Sequence, residues 1–522
     1  MTVVALDTRR GRLVVMAAVL GSGMALLDGT VVNVALVPIG AELDASLAEL
    51  QWISNGYLLA LASLILLGGA LGDRFGRRRV FVIGVVWFSV ASAACGLAQT
   101  PGQLIAARVV QGVGGALLTP GSLSMIQSSF RSDDRAKAIG SWSGLGGIAA
   151  ALGPFIGGWL VEYASWRWAF LINVPLAVVT VWLAIRAVPE TRDEAAPREF
   201  DLAGAALATL ALGVSTFGLI QSGSLGSSWT TSLVVAGVVI GGAFVSVERR
   251  RRHPMLQPSL FSSTQFSAAN GMTFLVYAAL GAVFFFLTLQ LQVVLRYGPL
   301  LAGLATVPVT GLMLFLAAKG GELATRIGPR LPMSLGPLVC ALGTALLTGV
   351  DAADAGWAGY WPAVLPGVTV FGLGLCLLVA PLTATVLAAA PDRYAGVASG
   401  VNNAVARAGS LLAVAALPAA VGLGGADYAR PEVFAAGYVR AMWLCAALLA
   451  AGGVVSWLLI RNPAPETAEA AEAPAGEPGR PREAAALGAP AQRHTAAPIG
   501  WSCAGTAACP GAARVDEGMM GP

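Results

Sequence analysis

The sequence predicts an all-α polytopic membrane protein with about fourteen transmembrane helices. Hydrophobic residues make up 56% of the 522 residues and charged residues 11%, whereas a soluble chain carries about 25% charge. Soluble cores stop growing at roughly 250–300 residues, so one oversized core does not explain this apolar excess. Apolar runs of about 18 residues, the length that crosses a hydrocarbon layer, recur along the chain. Because the runs are continuous, they exclude a barrel of alternating strands of about ten residues.

The predicted spans follow the apolar runs in order. They lie at residues 13–37, 50–71, 80–98, 102–127, 138–161, 168–188, 202–221, 231–248, 268–293, 300–319, 332–350, 362–387, 396–420 and 439–460. The first run contains Asp28, is too long for a signal-peptide core and has no clear cleavage site. It is therefore interpreted as a retained helix.

Composition divides the chain into five segments. They are a cytoplasmic N-terminus at residues 1–12, an N-terminal six-helix bundle at 13–188, a linker with two additional transmembrane helices at 189–267, a C-terminal six-helix bundle at 268–460 and a disordered cytoplasmic tail at 461–522. The tail is rich in Ala, Pro, Glu and Gly without apolar periodicity, a composition typical of disorder.

Basic residues concentrate in alternate loops, and this asymmetry predicts the orientation of the chain. With the N-terminus inside, the inner loops contain Arg74, Arg77, Arg78, Arg79, Arg131, Arg135, Lys137, Arg186, Arg192, Arg198, Arg249, Arg250, Arg251, Arg252, Arg326, Arg330, Arg393 and Arg461. The outer loops hold few, so both termini are predicted to be cytoplasmic. The net charge of +4 thus reflects orientation and not a nucleic-acid surface. Richness in Ala and Gly with few lysines indicates a bacterial cytoplasmic membrane protein.

A loop rich in glycine and arginine joins the second and third spans. Its motif residues are Gly69, Asp73, Arg74, Gly76, Arg77 and Arg78. The spacing recurs between Gly321 and Gly328, with Thr325 in the place of Asp73. This recurrence predicts two related six-helix halves, an architecture with its binding site near the bilayer midplane, where the halves meet.

Asp28 is a carboxylate within the first span. A charged side chain at membrane depth costs about 2.5–3.5 kcal/mol, and such residues are functional by default. We expect Asp28 to take up and release a proton as a cavity opens to alternate sides. The alternative is a structural aspartate satisfied by Asn33 or by a neighbouring helix.

Two arginines also lie within spans. Arg108, in the fourth span, stays protonated and must face a cavity or an acid. It can hold Asp28 ionised until a proton or substrate displaces it. The alternative is that the Arg108 side chain extends to the outer surface of the bilayer and places its guanidinium there. Arg407, in the thirteenth span, has no obvious carboxylate partner nearby in the sequence.

The fifth span contains Gly153, Pro154, Gly157 and Gly158, which permit close helix contacts and a kink. Glycines in membrane helices most often serve only close helix contacts. The combination of Gly153-Pro154 with Gly157-Gly158 is a more specific pattern than scattered glycines. Enzymatic motifs are missing from the sequence, which has no GxxxxGK[ST] loop, no HExxH and no CxxC pairs, and only two histidines. We expect no enzyme activity, cofactor or metal.

These motifs resemble those of the major facilitator superfamily, and within it the fourteen-helix drug:proton antiporters of the EmrB/QacA type. The resemblance covers nearly all of residues 12–460. Its matching parts are the loop Gly69–Arg79, the first-helix segment around Asp28, the fourth-helix residues Arg108, Gln111, Gly112 and Gly115, the fifth-helix Gly153-Pro154-x-x-Gly157-Gly158, and Ser165–Val178 at the start of the sixth helix.

The resemblance implies a role for each motif. Asp28 and Arg108 would couple transport to protons, and the fifth-helix motif is typical of antiporters. Asp73 would cap a helix of the second half that begins near Gly396, and so latch one conformation through the helix dipole. The second copy has Thr325 there, so its latch lacks a carboxylate.

The motifs together predict an antiporter that exports small amphipathic organic compounds in exchange for protons. Its expected partners are the substrate, protons and the lipid bilayer, with no nucleic acid, and it is expected to be a monomer. Candidate residues for the substrate cavity are Asn33, Trp52, Asn55, Tyr57, Gln111, Gln290, Gln292, Asn403 and Arg407. Two alternatives are a proton-coupled importer of a small nutrient and a membrane receptor that binds without transporting.

Overall fold

The structure, a computed structural model, describes residues 4–193, 200–251, 254–391 and 394–462. Fourteen helices in these ranges are long and apolar enough to cross a membrane, which confirms the predicted fold class. They are α1 Arg9–Leu43, α2 Leu47–Phe75, α3 Arg77–Gly96, α4 Pro101–Ser129, α5 Ser132–Tyr163, α6 Trp168–Ala187, α7 Leu202–Ile220, α8 Ser227–Arg250, α9 Thr264–Leu289, α10 Pro299–Ile327, α11 Arg330–Leu346, α12 Leu365–Ala388, α13 Ala395–Ala420 and α14 Pro431–Leu459. The predicted disordered tail lies outside the described residues from position 463 onward.

Several helices begin before the apolar runs do, because polar residues cap their ends. Ser46 and Glu49 form a capping box at the start of α2, in which each side chain binds the other residue's backbone N–H. Thr100 accepts a hydrogen bond from the backbone of Gln103 at the start of α4. Hydrophobicity alone does not report these capped first turns.

The first six helices form one bundle and the last six form another with equivalent contacts. In the first bundle, α4 packs against α2 and α3, α1 packs against α5 and α6, and α3 packs against α6. In the second bundle, α12 packs against α10 and α11, α9 packs against α13 and α14, and α11 packs against α14. Every one of these contacts is repeated eight helices later, as a duplicated architecture requires.

Glycines at equivalent positions show the repeat in atomic detail. A Cβ at Gly68 would overlap the carbonyl of Ala116, and one at Gly320 would overlap the carbonyl of Cys376. The offset between Gly68 and Gly320 is the one that separates Gly69 from Gly321 in the loop motif. Close approach of α2 to α4, and of α10 to α12, therefore depends on the same residue type in both halves.

The helices α7 and α8 are additional to the two bundles. They pack against each other, and α7 also lies along α2 and α13. Only 6% of the apolar stretch of α8 is buried. This helix therefore presents most of its surface to lipid.

The two bundles contact each other mainly along two helix pairs, α5 with α10 and α2 with α13, and α1 makes smaller contacts with α9 and α10. All hydrogen bonds between the bundles in the described ranges lie at the end farther from the N-terminus. They join Gln51 to Val414 and Ala415, Gln292 to Val34, Leu47 to Gly425, Tyr428 to Ala45, and Leu300 to Glu162. These hydrogen bonds close the end farther from the N-terminus. In the predicted topology, with the N-terminus inside, this end is the outer face, and a conformation closed there is inward-facing.

Candidate functional site

The centre of the first bundle contains a buried ion pair between Asp28 of α1 and Arg108 of α4. An Nη1 of Arg108 donates to Oδ2 of Asp28 at 2.5 Å. Asp28 is 0% exposed and Arg108 is 1% exposed. Such a pair is removed from water, so each charge depends on the other for its stability.

Gln111 closes this pair into a three-membered network. Its amide nitrogen donates to Oδ1 of Asp28 at 2.7 Å, and its amide oxygen accepts from Arg108 at 2.7 Å. Arg108 also donates through Nε to the carbonyl of Ile53 on α2 at 3.0 Å. The hydrogen bond between Arg108 and Ile53 depends on Gly112. A Cβ at this position would lie 2.5 Å from the carbonyl oxygen of Tyr57 and would force α2 away from α4.

Asn173 of α6 contacts the same carboxylate. Its amide nitrogen lies 3.5 Å from Oδ1 of Asp28 and donates to Ser92 of α3 at 3.0 Å. Neither residue was predicted from the sequence, since a single Asn or Ser in an apolar span does not reveal which helix it faces. Asn33, which the sequence offered as an alternative partner of Asp28, makes no hydrogen bond to Asp28 in the structure.

Aromatic rings cover the guanidinium of Arg108. Its central carbon lies 4.5 Å from the ring centre of Tyr57 and 5.7 Å from that of Phe170. Ring faces carry negative electrostatic potential, so both contacts favour the cation. The alternative in which Arg108 extends to the membrane surface is wrong, because its side chain is enclosed within the bundle.

The geometry of this network depends on the charge of Asp28. When Asp28 is ionised, it neutralises Arg108 and accepts hydrogen bonds at both oxygens. When it is protonated, Arg108 loses its counter-charge and the network must rearrange. The ion pair and the hydrogen bonds of Gln111 therefore stabilise one another.

A separate cavity of about 320 Å³ lies between the two bundles. Leu26 of α1 forms its first-bundle wall, and Tyr277 of α9, Thr383 of α12, and Asn403 and Arg407 of α13 line the opposite side. Two of the nine predicted cavity residues, Asn403 and Arg407, thus line this space. Asp28 does not, because it is enclosed in the first bundle.

The other predicted cavity residues lie elsewhere in this conformation. Trp52 packs against Phe217 of α7, with ring centres 6.3 Å apart. Gln290 binds the carbonyl of Val350, and Gln292 binds the carbonyl of Val34 across the closed face. Gln111 and Tyr57 belong to the Arg108 site, Asn55 is fully buried, and Asn33 is half-buried without a place in the cavity wall.

The fifth-helix motif holds α5 between a helix of its own bundle and one of the other. A Cβ at Gly157 would meet the side chain of Val31 on α1 at 2.7 Å, and one at Gly153 would overlap Thr30. On the other side, a Cβ at Gly158 would meet Leu300 of α10 at 2.7 Å. Gly158 and its neighbours therefore allow contact with both bundles at once.

The motif Gly69–Arg79 was expected to be a loop, but it forms the end of α2 and the start of α3, with only Gly76 between the helices. The segment that follows α6 fixes this turn. Gly76 has φ of +110°, and a Cβ there would lie 2.5 Å from the carboxylate of Glu190. The backbone of Arg78 donates to Glu190 at 3.1 Å. Asp73 pairs with Arg77 at 2.8 Å, and α13 begins without a side-chain cap. Among the described residues, no hydrogen bond joins Asp73 to that helix, so the latch contact stays a prediction.

Two related six-helix bundles around an interfacial cavity, with an ion pair buried in one of them, define a secondary membrane transporter. The family model described as Major Facilitator Superfamily matches residues 18–414. The chain belongs to this superfamily, as its motifs predicted.

Named relatives support the assignment. The chain is 35% identical over 411 residues to a tetracenomycin C resistance and export protein of Streptomyces glaucescens, covering 77% of this chain and 74% of that protein. It is 34% identical to the puromycin resistance protein pur8 of Streptomyces alboniger, covering 91% and 96%. It is also 34% identical to the methylenomycin A resistance protein of Bacillus subtilis, covering 86% and 94%.

Solved structures share the fold at low sequence identity. A bacterial homologue of the human lysosomal transporter Spinster, in an inward-facing and unoccupied conformation, has a TM-score of 0.61 at 17% identity, covering 87% of this chain and 97% of that one. The Escherichia coli xylose transporter XylE, in an inward-open conformation, has a TM-score of 0.57 at 16% identity, covering 87% and 97%. These similarities concern the architecture alone.

Proposed function

We propose that this protein exports small amphipathic organic compounds of the antibiotic type from the cytoplasm in exchange for protons. The observation that carries the proposal is the Asp28–Arg108 pair, an ionisable carboxylate enclosed in a membrane bundle beside an obligate cation. The relatives named for antibiotic resistance and export support the direction of transport. The positive-inside distribution supports a bacterial cytoplasmic membrane location with both termini inside, and the protein would act as a monomer.

Protonation of Asp28 would act on the contact between the bundles through α1 and α5. Thr30 and Val31 follow Asp28 on α1 and lie against Gly153 and Gly157 of α5. The same helix α5 contacts α10 of the second bundle at its outer end. A shift of α1 caused by loss of the ion pair therefore has a direct path to the closed outer face.

The proton supplies the work of export. A proton that moves inward across 100 mV releases about 2.3 kcal/mol. In the outward-facing conformation Asp28 would take a proton from outside and release substrate. In the inward-facing conformation it would give the proton to the cytoplasm and pair again with Arg108, as it does in this structure. Asp73 would cap α13 only when the inner face closes, because its carboxylate is occupied by Arg77 here.

The test measures proton movement in everted membrane vesicles that contain the protein. Respiration acidifies the vesicle interior, and a pH-sensitive dye reports whether an added compound dissipates the gradient. We expect antibiotics related to those of the named relatives to cause dissipation with the wild-type chain. Asp28→Asn should abolish it, because the amide cannot exchange a proton.

Asp44→Asn is the matched control, since it makes the same chemical change in the exposed loop that follows α1. It should transport like the wild type, because asparagine tolerates the left-handed backbone at this position. Equal proton exchange in Asp28→Asn and wild type would overturn the coupling role. If the added compound instead made the vesicle interior more acidic, the compound and the proton would move together, as in a proton-coupled importer. Binding without any movement of protons or substrate would indicate a receptor.

A further inference from the structure

We infer that the cavity between the bundles selects organic anions, and that Arg407 binds the acidic group of the substrate. The inference rests on the proposed export function only for the direction of transport. The binding site itself follows from the charges that line the cavity. Arg407 lies near the midpoint of the span formed by α13 and faces this cavity.

The guanidinium of Arg407 has no counter-charge. Within the described ranges, it forms no ion pair with a carboxylate and no hydrogen bond with the protein. The guanidinium interacts electrostatically with the hydroxyl groups of Tyr57 and Tyr277. No Asp or Glu lies among the residues that line the cavity, so the wall carries a net positive charge.

Arg108 is a second arginine within the membrane spans, and the protein supplies all the partners of its guanidinium. That guanidinium is enclosed by Asp28, Gln111, the carbonyl of Ile53 and two aromatic rings. Arg407, in the other bundle, has no equivalent set of partners among the described residues. The difference indicates that its partner arrives from outside the protein.

Alternating access makes the missing partner important. In this conformation the half-buried Arg407 borders the cavity, so water that fills the cavity can solvate it. Occlusion removes that water, and a guanidinium without water or an anion is strongly unfavourable in a membrane interior. A carboxylate on the substrate satisfies it with two parallel hydrogen bonds. A cationic substrate would increase the cost, so the cavity discriminates against it.

The other residues of the cavity wall indicate which chemical groups the rest of the substrate should carry. Leu26, Val386 and Leu387 supply apolar surface, and Tyr277 supplies an aromatic ring. Ser399 and Asn403 add polar groups to the wall. A volume of about 320 Å³ lies at the lower end of ligand pockets, roughly 300–1,000 Å³. The matching substrate is a compact, largely apolar molecule with one acidic group.

The test uses three fluorescent probes that share one ring system and differ in charge. They are 9-anthracenecarboxylate, its neutral methyl ester and the cationic 9-(aminomethyl)anthracene. Binding is measured by fluorescence with the full-length protein in lipid nanodiscs. We expect the carboxylate to bind more tightly than the ester, and the cation to bind weakest.

Arg407→Gln should weaken carboxylate binding by about tenfold to a hundredfold, the effect of losing a hydrogen bond to a charged group. It should leave ester binding unchanged, and Arg407→Lys should restore part of the preference. The matched control is Arg440→Gln, which removes an exposed arginine that binds only a carbonyl of its own helix. Thermal unfolding of each variant shows that the fold is retained.

Asp28→Asn separates this inference from the proposed function. It should lose proton-coupled transport and still prefer the carboxylate in the binding assay, because Asp28 does not line the cavity. Equal binding of the three probes by the wild type would overturn the inference. So would an unchanged preference for the carboxylate in Arg407→Gln, even if proton-coupled export were demonstrated for other compounds.

Discussion

The carboxylate of Glu162 accepts a hydrogen bond of 2.8 Å from the backbone N–H of Leu300. Glu162 ends α5 in the first bundle, and Leu300 lies in the first turn of α10 in the second. A side chain of one bundle therefore caps a helix of the other. An anion at a helix N-terminus contributes about 0.3–1 kcal/mol at an exposed site, so this contact favours the closed outer face.

Glu162→Gln should shift the conformational equilibrium toward the outward-open state by about two- to fivefold, because the charge on the helix N-terminus is lost. The measurement is the distance distribution between spin labels at the exposed positions Ala41 and Ala429, one in each bundle. Glu432→Gln is the control, since it removes an acid from the first turn of α14 without a contact between bundles. Identical distributions for Glu162→Gln and wild type would show that the cap has no energetic role.

Gly158→Leu should block closure of the outer face and abolish transport. A Cβ at Gly158 would lie 2.7 Å from the Cα of Leu300, and backbone at that distance has no room to adjust. A Cβ at Gly144, on the same helix, would meet no atom within 4 Å. We expect Gly144→Leu to transport normally and to show wild-type spin-label distances, whereas Gly158→Leu should populate only the outward-open distances.

Gly76→Ala should destabilise the motif loop by about 1–3 kcal/mol, since a positive φ is unfavourable for alanine and its Cβ would approach Glu190. Gly72→Ala, one turn earlier in α2, has free space and an ordinary helical backbone. It should raise stability by about 0.5–1 kcal/mol. The check is thermal unfolding of both variants in nanodiscs. A Gly76→Ala protein as stable as Gly72→Ala would contradict the strained-turn account.

The spans and their order were readable from the sequence because long apolar runs have one physical explanation. The pairing of Asp28 with Arg108 was foreseeable for a similar reason, since two opposite charges at membrane depth must satisfy each other. The repeated loop motif also predicted two related halves, and the helix contacts confirm the duplicated architecture.

The cavity wall was less predictable, because it depends on helix rotation and on conformation. Trp52 was expected to face substrate but contacts Phe217, on an additional helix whose position the sequence does not indicate. Gln292 was expected in the cavity but closes the outer face. Asn173 gave no signal, because its link to Asp28 joins α6 to α1 only in the folded bundle.

We expect Asn55 of α2 to lower the stability of the protein and to be needed for transport. It is fully buried, and neither atom of its amide has a hydrogen-bond partner among the described residues. Leaving a polar group buried and unsatisfied costs about 1–3 kcal/mol, so Asn55→Leu should raise the free energy of unfolding by about 1 kcal/mol. Gln51→Leu, one helical turn away, should do the opposite, because Gln51 donates to Val414 and Ala415 across the bundles.

We further expect Asn55→Leu to lower export by about tenfold despite its greater stability, as for a residue that breaks a local rule at a functional site. The two readouts are thermal unfolding in nanodiscs and substrate-dependent proton movement in everted vesicles. A variant that is more stable and transports normally would show that Asn55 is a tolerated defect. A variant that is less stable would show instead that its amide is satisfied in the membrane, by water or by lipid, and the cost of burial would then be absent.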